Sequence, residues 1–319
     1  MSTAVTLVLI GSIAVAAYYE REYRHMGRAL DADADALRAY RWERPVLRGT
    51  FGEGNAADEI YAALATWKPL PRGTREALAQ KVYYGSLLTA AESDMIDARA
   101  ATLRALRRAT QQGWSRSELA PERGLSMRVP DYPRIIEVGL ALLADAQTQT
   151  ADECLQASAD LIRIGQDLVP AAPLEAASTS LQLTTYAARV IARCAARADA
   201  AGLRRASHEL RTIASHPAPI GSSIELEEVA SAMDLRERAA LTDKPSPIAV
   251  GVALIERPQL MAAWSNHDSP ARFRRISAER YPDSLEEWQR EQNYRAGASQ
   301  AQRRIQDDMH NQALLRMLA

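Results

Sequence analysis

Apolar residues recur at helical spacing from residue 55 to the end of the chain, and alternation at period two is nowhere convincing. After Asp131, the residues Tyr132, Ile135, Ile136, Gly139, Leu142, Leu143 and Ala146 fall on one stripe. Leu155, Leu161, Ile162, Gly165, Leu168 and Val169 form the next. Leu174, Ala177, Leu181, Val190, Ile191 and Cys194 mark a longer helix. Leu203, Ala206, Leu210 and Ile213 mark another, and Leu226, Val229, Ala230 and Met233 begin one more. The many small residues in these stripes let helix axes approach closely.

Helix-start signals punctuate the pattern. Thr89 with Glu92, Thr150 with Glu153, Ser222 with Glu225, and Asp283 with Glu286 have capping-box spacing. Ser246-Pro247 and Ser269-Pro270 read as an N-cap followed by proline at the first helical position. Asp131-Tyr132-Pro133 opens a further helix, and Asn55 caps one running from Ala56 to about Trp67. Thr74 opens the helix after that. Residues 41–54 carry Pro45 and three glycines and read as a loop.

The N-terminal stretch Ala4 to Tyr19 bears no charge and ends in Tyr18-Tyr19, where an interfacial aromatic belt would lie. It reads as a single-pass membrane anchor. The competing readings are a cleavable signal peptide, with Ala14-Val15-Ala16 as an A-x-A site, and a buried core helix. Arg21, Arg24, Arg28 and Arg38 follow the segment and no basic residue precedes it. The positive-inside rule therefore leans the rest of the chain toward the cytoplasmic side of an inner membrane, with the periplasmic side left open.

The resulting organisation is all-α. Residues 1–20 form the transmembrane anchor and 21–54 a juxtamembrane helix and loop. Residues 55–282 form an array of antiparallel α-hairpins, solenoid-like but without the tetratricopeptide consensus. Residues 283–319 form a long polar C-terminal helix.

Composition strengthens the helical reading. Of the 319 residues 47% are hydrophobic but only 6% aromatic, so strand formers are scarce and a core must be built from small aliphatic side chains. Arg outnumbers Lys heavily, since Lys68, Lys81 and Lys244 are the only lysines among the 39 basic residues. The formal net charge is −1, without the basic excess of a dedicated nucleic-acid binder, so no nucleic-acid partner is expected. Cys154 and Cys194 belong to no CxxC pair and have no histidine at ligand spacing, which argues against a disulfide scaffold and a zinc site.

Candidate chemistry is sparse. His208-Glu209 lacks the second histidine of HExxH, because Thr212 stands there. Gly49, Gly52 and Gly54 precede a helix, as in phosphate loops, but lack the GK[ST] of a P-loop and read as a flexible entry. Arg104, Arg107 and Arg108 share one helix face and are candidate contacts for an acidic partner or an anionic head group. Arg272, Arg274 and Arg275 form a second basic cluster, and Glu225, Glu227 and Glu228 an acidic one. Trp288, Ile305, Met309, Leu314 and Leu315 are apolar positions suited to docking, onto a partner or back onto the array. No catalytic residue, metal or cofactor is indicated.

The stretch Arg44 to Leu64, with its Gly-Asn-Ala-Ala segment, and the helix Leu155 to Leu168 resemble a group of uncharacterised bacterial envelope-associated helical proteins. Tyr281-Pro282-Asp283-Ser284-Leu285 is similar to a helix-entry motif near the end of such chains. The resemblance implies an all-α fold near a membrane and no activity. The expected function is a membrane-anchored, non-enzymatic scaffold that binds protein partners in a membrane complex. One alternative is a lipid or small-molecule binder whose pocket uses Ser178, Thr179, Ser180, Thr184 and Thr185. Another is a hydrolase whose site is not legible.

Overall fold

The computed structural model describes residues 31–44, 52–117 and 130–223 continuously, with scattered residues elsewhere, among them 307 and 310–318. Two compact units divide the chain. One comprises Met1–Ala39, Leu119–Arg128 and Ile224–Glu291; the other comprises Tyr40–Glu118, Val129–Ser223 and Gln292–Ala319. The first is described mainly at α1 (31–39), where Ala34 and Leu37 are buried. All that follows concerns the second.

The second unit is mostly helical. Its order is β1 (Trp42–Glu43), β2 (Gly52–Asn55), α2 (Ala56–Thr66), α3 (Thr74–Tyr84), α4 (Ala90–Asp97), α5 (Ala100–Ala109), β3 (Gln112–Ser115), α6 (Tyr132–Ala146), α7 (Ala151–Asp167), α8 (Glu175–Ala195) and α9 (Ala200–Ser215). The helices start where cap chemistry directs. Asn55 accepts from the Ala57 N–H and Asp131 from the Arg134 N–H. Thr89–Glu92 and Thr150–Glu153 form complete capping boxes at α4 and α7. Thr74 is the first residue of α3, and Gly73 caps it. Ser222 departs from its expected role: it lies inside a helical turn at 221–223, where its Oγ accepts from the Ala171 N–H at 2.9 Å. Its capping partner Glu225 lies outside the described residues, as do Asp283–Glu286 and both Ser-Pro starts.

The loop expected over 41–54 is partly a sheet. β3 sits in the middle, antiparallel to β1 and parallel to β2. No two-residue periodicity announces strands this short. Their hydrogen bonds come from positions far apart in sequence, and side-chain bonds complete them. Gln112 lays its amide across β2 and accepts from the Gly54 N–H at 3.0 Å. A Cβ on Gly52 or Gly54 would stand 2.5 or 2.6 Å from Gln112 Oε1, so these glycines make room for that side chain. They do not form an open phosphate cradle. Asn55 adds a two-way bond to the backbone of Arg116, donating to its carbonyl at 2.8 Å and accepting from its N–H at 3.0 Å.

The core lies among α6, α7 and α8. α7 packs on α8, α6, α9 and α5, while α8 also meets α6 and α3. Gly165 of α7 faces Ser180 of α8, where an added Cβ would lie 3.2 Å from the Ser180 Cα. Close approach of the two helices therefore depends on that glycine. Gly139 plays the same part against Leu161 and Leu183. The stripes read from sequence are mostly buried: Ile136 and Leu181 are half-buried, Leu203 is 40% exposed with only Leu210 and Ile213 of its stripe buried, and Met233 lies outside the described residues. The α7–α8 connection is itself buried from Leu168 to Leu174. Two of its carbonyls are met by a serine hydroxyl and a backbone amide: Ser223 Oγ donates to Val169 O at 2.6 Å, and the Ser117 N–H to Pro170 O at 2.9 Å.

Cys154 and Cys194 form a disulfide, with Cα atoms 6.2 Å apart. This corrects the expectation drawn from their spacing. Cys154 lies in the first turns of α7 and Cys194 at the end of α8, and an antiparallel hairpin brings those two ends together. Forty residues of separation is one hairpin, a distance that local motif spacing does not capture.

Among the described residues no helix is long and apolar enough to cross a membrane. Of the segment Ala4 to Tyr19, only Ala17 is described, so the anchor reading falls outside the described residues.

Candidate functional site

The expected Arg104, Arg107 and Arg108 patch is split. Arg104 and Arg108 are exposed on α5, whereas Arg107 turns inward and its Nε donates to Asp160 Oδ2 at 2.8 Å. The i, i+3, i+4 spacing gave a common face, but the packing of α5 on α7 draws one member into a half-buried ion pair. Trp288, Ile305 and Met309 lie outside the described residues, as do the Arg272 and Glu225 clusters.

Arg107 belongs to a larger cluster that the sequence did not single out. Arg44, just after β1, and Asp167, the last residue of α7, form a fully buried ion pair. Nη2 donates to Oδ2 at 2.7 Å. Nε and Oδ1 are also 2.7 Å apart, in ion-pair contact but not aligned as a hydrogen bond. Arg44 further donates to the carbonyls of Ala109, Thr110 and Gln112 and so closes the C-terminal end of α5 onto β3. Ser115 Oγ donates to the Asp167 carbonyl at 2.7 Å. Arg163 adds its charge beside Asp167, Asp160 and Glu209.

Burial dominates the electrostatics here. Desolvation pushes the Asp167 carboxyl up to about 6, against the attraction of Arg44 and Arg163. Desolvation, and then repulsion by Arg44, pulls the Arg163 guanidinium down to about 10. The Arg44 guanidinium is lowered for the same first reason. Both partners of the central pair are thus shifted toward neutrality, so burial costs more than their mutual attraction returns. Three guanidiniums (Arg44, Arg107, Arg163) face three carboxylates (Asp160, Asp167, Glu209). Chemically this is a brace between the sheet, α5 and α7 rather than a poised acid–base pair. A signal the reading did not use could have found it: Asp167 ends α7, where the helix dipole is negative and a carboxylate calls for a cation.

Four of the five hydroxyls offered for a pocket on α8 are engaged in bonds of the fold itself. Thr184 and Thr185 donate to the carbonyls of Ser180 and Leu181, one turn back. Ser178 donates to Asp307, and Ser180 accepts from Asn311 at 3.0 Å and from Gln166 at 3.3 Å. Asn311 and Leu315 are buried, so the C-terminal helix (310–318) docks back onto the unit along this polar seam. His208 is exposed, and Thr212 donates to its carbonyl at 2.9 Å. Among the described residues no group of three or more His, Cys, Asp or Glu is placed to hold a metal ion.

No family model, curated protein or solved structure matches the chain. The assignment of a function therefore rests on these residues.

Proposed function

We propose that the chain is a single-pass, membrane-held helical scaffold that binds protein partners in a membrane-associated complex, its hairpins stacked as a solenoid-like array. One observation carries this reading: the buried charges of the described unit join its own elements. The Arg44–Asp167 and Arg107–Asp160 pairs brace the sheet and α5 against α7, and the disulfide ties α7 to α8. Such a unit presents fixed helical faces, which suits recognition of another protein more than turnover of a substrate.

The disulfide also bears on the side of the membrane. Disulfides persist in oxidising compartments. It favours the periplasmic or outer side, against the lean from Arg21, Arg24 and Arg28. Thiol labelling in intact and permeabilised cells, before and after reduction, reports this directly.

The scaffold reading is tested by affinity purification of the full chain from gently solubilised membranes, followed by identification of bound proteins. Stoichiometric partners are expected. Recovery as a lone monomer in several mild detergents overturns the proposal.

A further inference from the structure

The turn between α3 and α4 carries the large exposed hydrophobic side chains of one edge. Tyr84 is 74% and Leu87 71% exposed, and Tyr83 is 44% exposed. Gly85 makes the turn in the left-handed region at φ 75°. The turn is held by basic side chains. Lys81 donates to the Leu87 carbonyl at 2.9 Å. From α8, Arg193 reaches across Gly85 and donates to the Tyr83 carbonyl at 3.2 Å, and the Arg189 guanidinium lies 3.8 Å over the Tyr83 ring. Arg189 and Arg193 stand one helical turn apart on α8, Arg197 follows just beyond the end of that helix with its guanidinium donating to Cys194 Sγ at 3.3 Å, and Arg189 and Arg197 are exposed. Repulsion from both neighbours adds to burial in lowering the Arg193 guanidinium, a sign of the local positive potential. Glu92, in the first turn of α4, is bound to Lys81 at 3.1 Å.

We propose that this edge docks on the surface of an anionic phospholipid bilayer, with Tyr84 and Leu87 at head-group depth and Arg189 and Arg197 on lipid phosphates. The argument is complementarity. An aliphatic and aromatic tip flanked by arginines matches a layer that is apolar beneath and negative at its face. A wholly polar acidic partner would leave Leu87 and Tyr84 in water. The inference rests on the membrane-held reading.

The test uses the full chain with Ser86→Cys, labelled with an environment-sensitive fluorophore. Cys154 and Cys194 are bonded to each other and do not compete for label. The chain is reconstituted in nanodiscs of phosphatidylcholine alone, or of phosphatidylcholine and phosphatidylglycerol in equal parts. In the mixed discs the emission shifts to the blue and is quenched by spin-labelled lipid; in phosphatidylcholine it is not. The pair Arg189→Gln and Arg197→Gln lowers the docked-to-free ratio about 25-fold, at about fivefold per arginine. The pair Tyr84→Ser and Leu87→Ser abolishes the quenching. All four side chains are exposed, so parent-like melting of the variants shows that they are folded. Equal emission in the two discs, or quenching insensitive to both pairs, overturns the proposal. So does a label shielded equally in phosphatidylcholine and in detergent, which marks a protein contact. Protein partners that still co-purify while lipid dependence is lacking leave the scaffold standing and remove the docking alone.

Discussion

Replacement of Arg44 by Met measures what the buried brace contributes. At pH 8 the variant strands a fully buried Asp167 carboxylate. Removing one partner of a buried pair costs about 3–5 kcal/mol. At pH 5 the accounting changes. The Asp167 carboxyl titrates near 6 in the folded parent, above its ordinary 3.8, because burial disfavours its charge. An acid whose folded value is raised favours the fold fully below its unfolded value, and that contribution is lost as pH rises through about 6. At pH 5 parent and variant therefore both hold the proton. The variant then loses mainly the bonds from Arg44 to the carbonyls of Ala109, Thr110 and Gln112, together about 2 kcal/mol at roughly 0.5–1 kcal/mol each. The expected destabilisation is thus about twofold larger at pH 8 than at pH 5. In thermal melts of the full chain followed by helical circular dichroism, a loss of about 4 kcal/mol lowers the midpoint by roughly 10 °C. The double variant Arg44→Met, Asp167→Leu should recover most of the loss at pH 8. Equal losses at both pH values, or a double variant as unstable as the single one at pH 8, would refute the account.

Three further outcomes are expected. Reducing the Cys154–Cys194 bond, which closes a loop of 40 residues, costs about 4 kcal/mol by chain entropy, and thiol titration of the oxidised chain should find no reactive cysteine. Two reactive thiols in chain matured under oxidising conditions would contradict the pairing. Asn55→Ala removes a helix cap and both bonds to Arg116, for a loss of about 3 kcal/mol in denaturant unfolding; a change near zero would show that water replaces them. Gly165→Ala gains about 1 kcal/mol of helix propensity but pushes on the Ser180 backbone at 3.2 Å, and a net loss of about 1–2 kcal/mol is expected. A more stable variant would show that α7 and α8 can separate without cost.

Much of the helical framework was legible because its causes are local. Asn55, Thr89, Asp131 and Thr150 cap the helices they were assigned to, since a cap satisfies N–H groups within three residues of itself. Gly139 and Gly165 were read as close-packing positions from the stripes alone, and they face neighbouring helices as expected. The short sheet was not legible, because Gln112 and Gly54 meet across 58 residues of sequence. For the same reason the Arg104, Arg107 and Arg108 face could be seen but not its division. Whether an arginine points to water or to Asp160 depends on which helix packs beside it.

The chain alone therefore determined a mostly helical fold, the starts capped by Asn55, Thr89, Asp131 and Thr150, and its small-residue core. These follow from backbone hydrogen bonding and periodicity over a few turns. Only the tertiary structure decided that Arg44 meets Asp167 across 123 residues, that Cys154 bonds to Cys194, and that Tyr84 and Leu87 stand out beside the arginines of α8. Charge pairing, disulfide formation and surface chemistry depend on distance in space, and that distance is fixed only once the helices have packed.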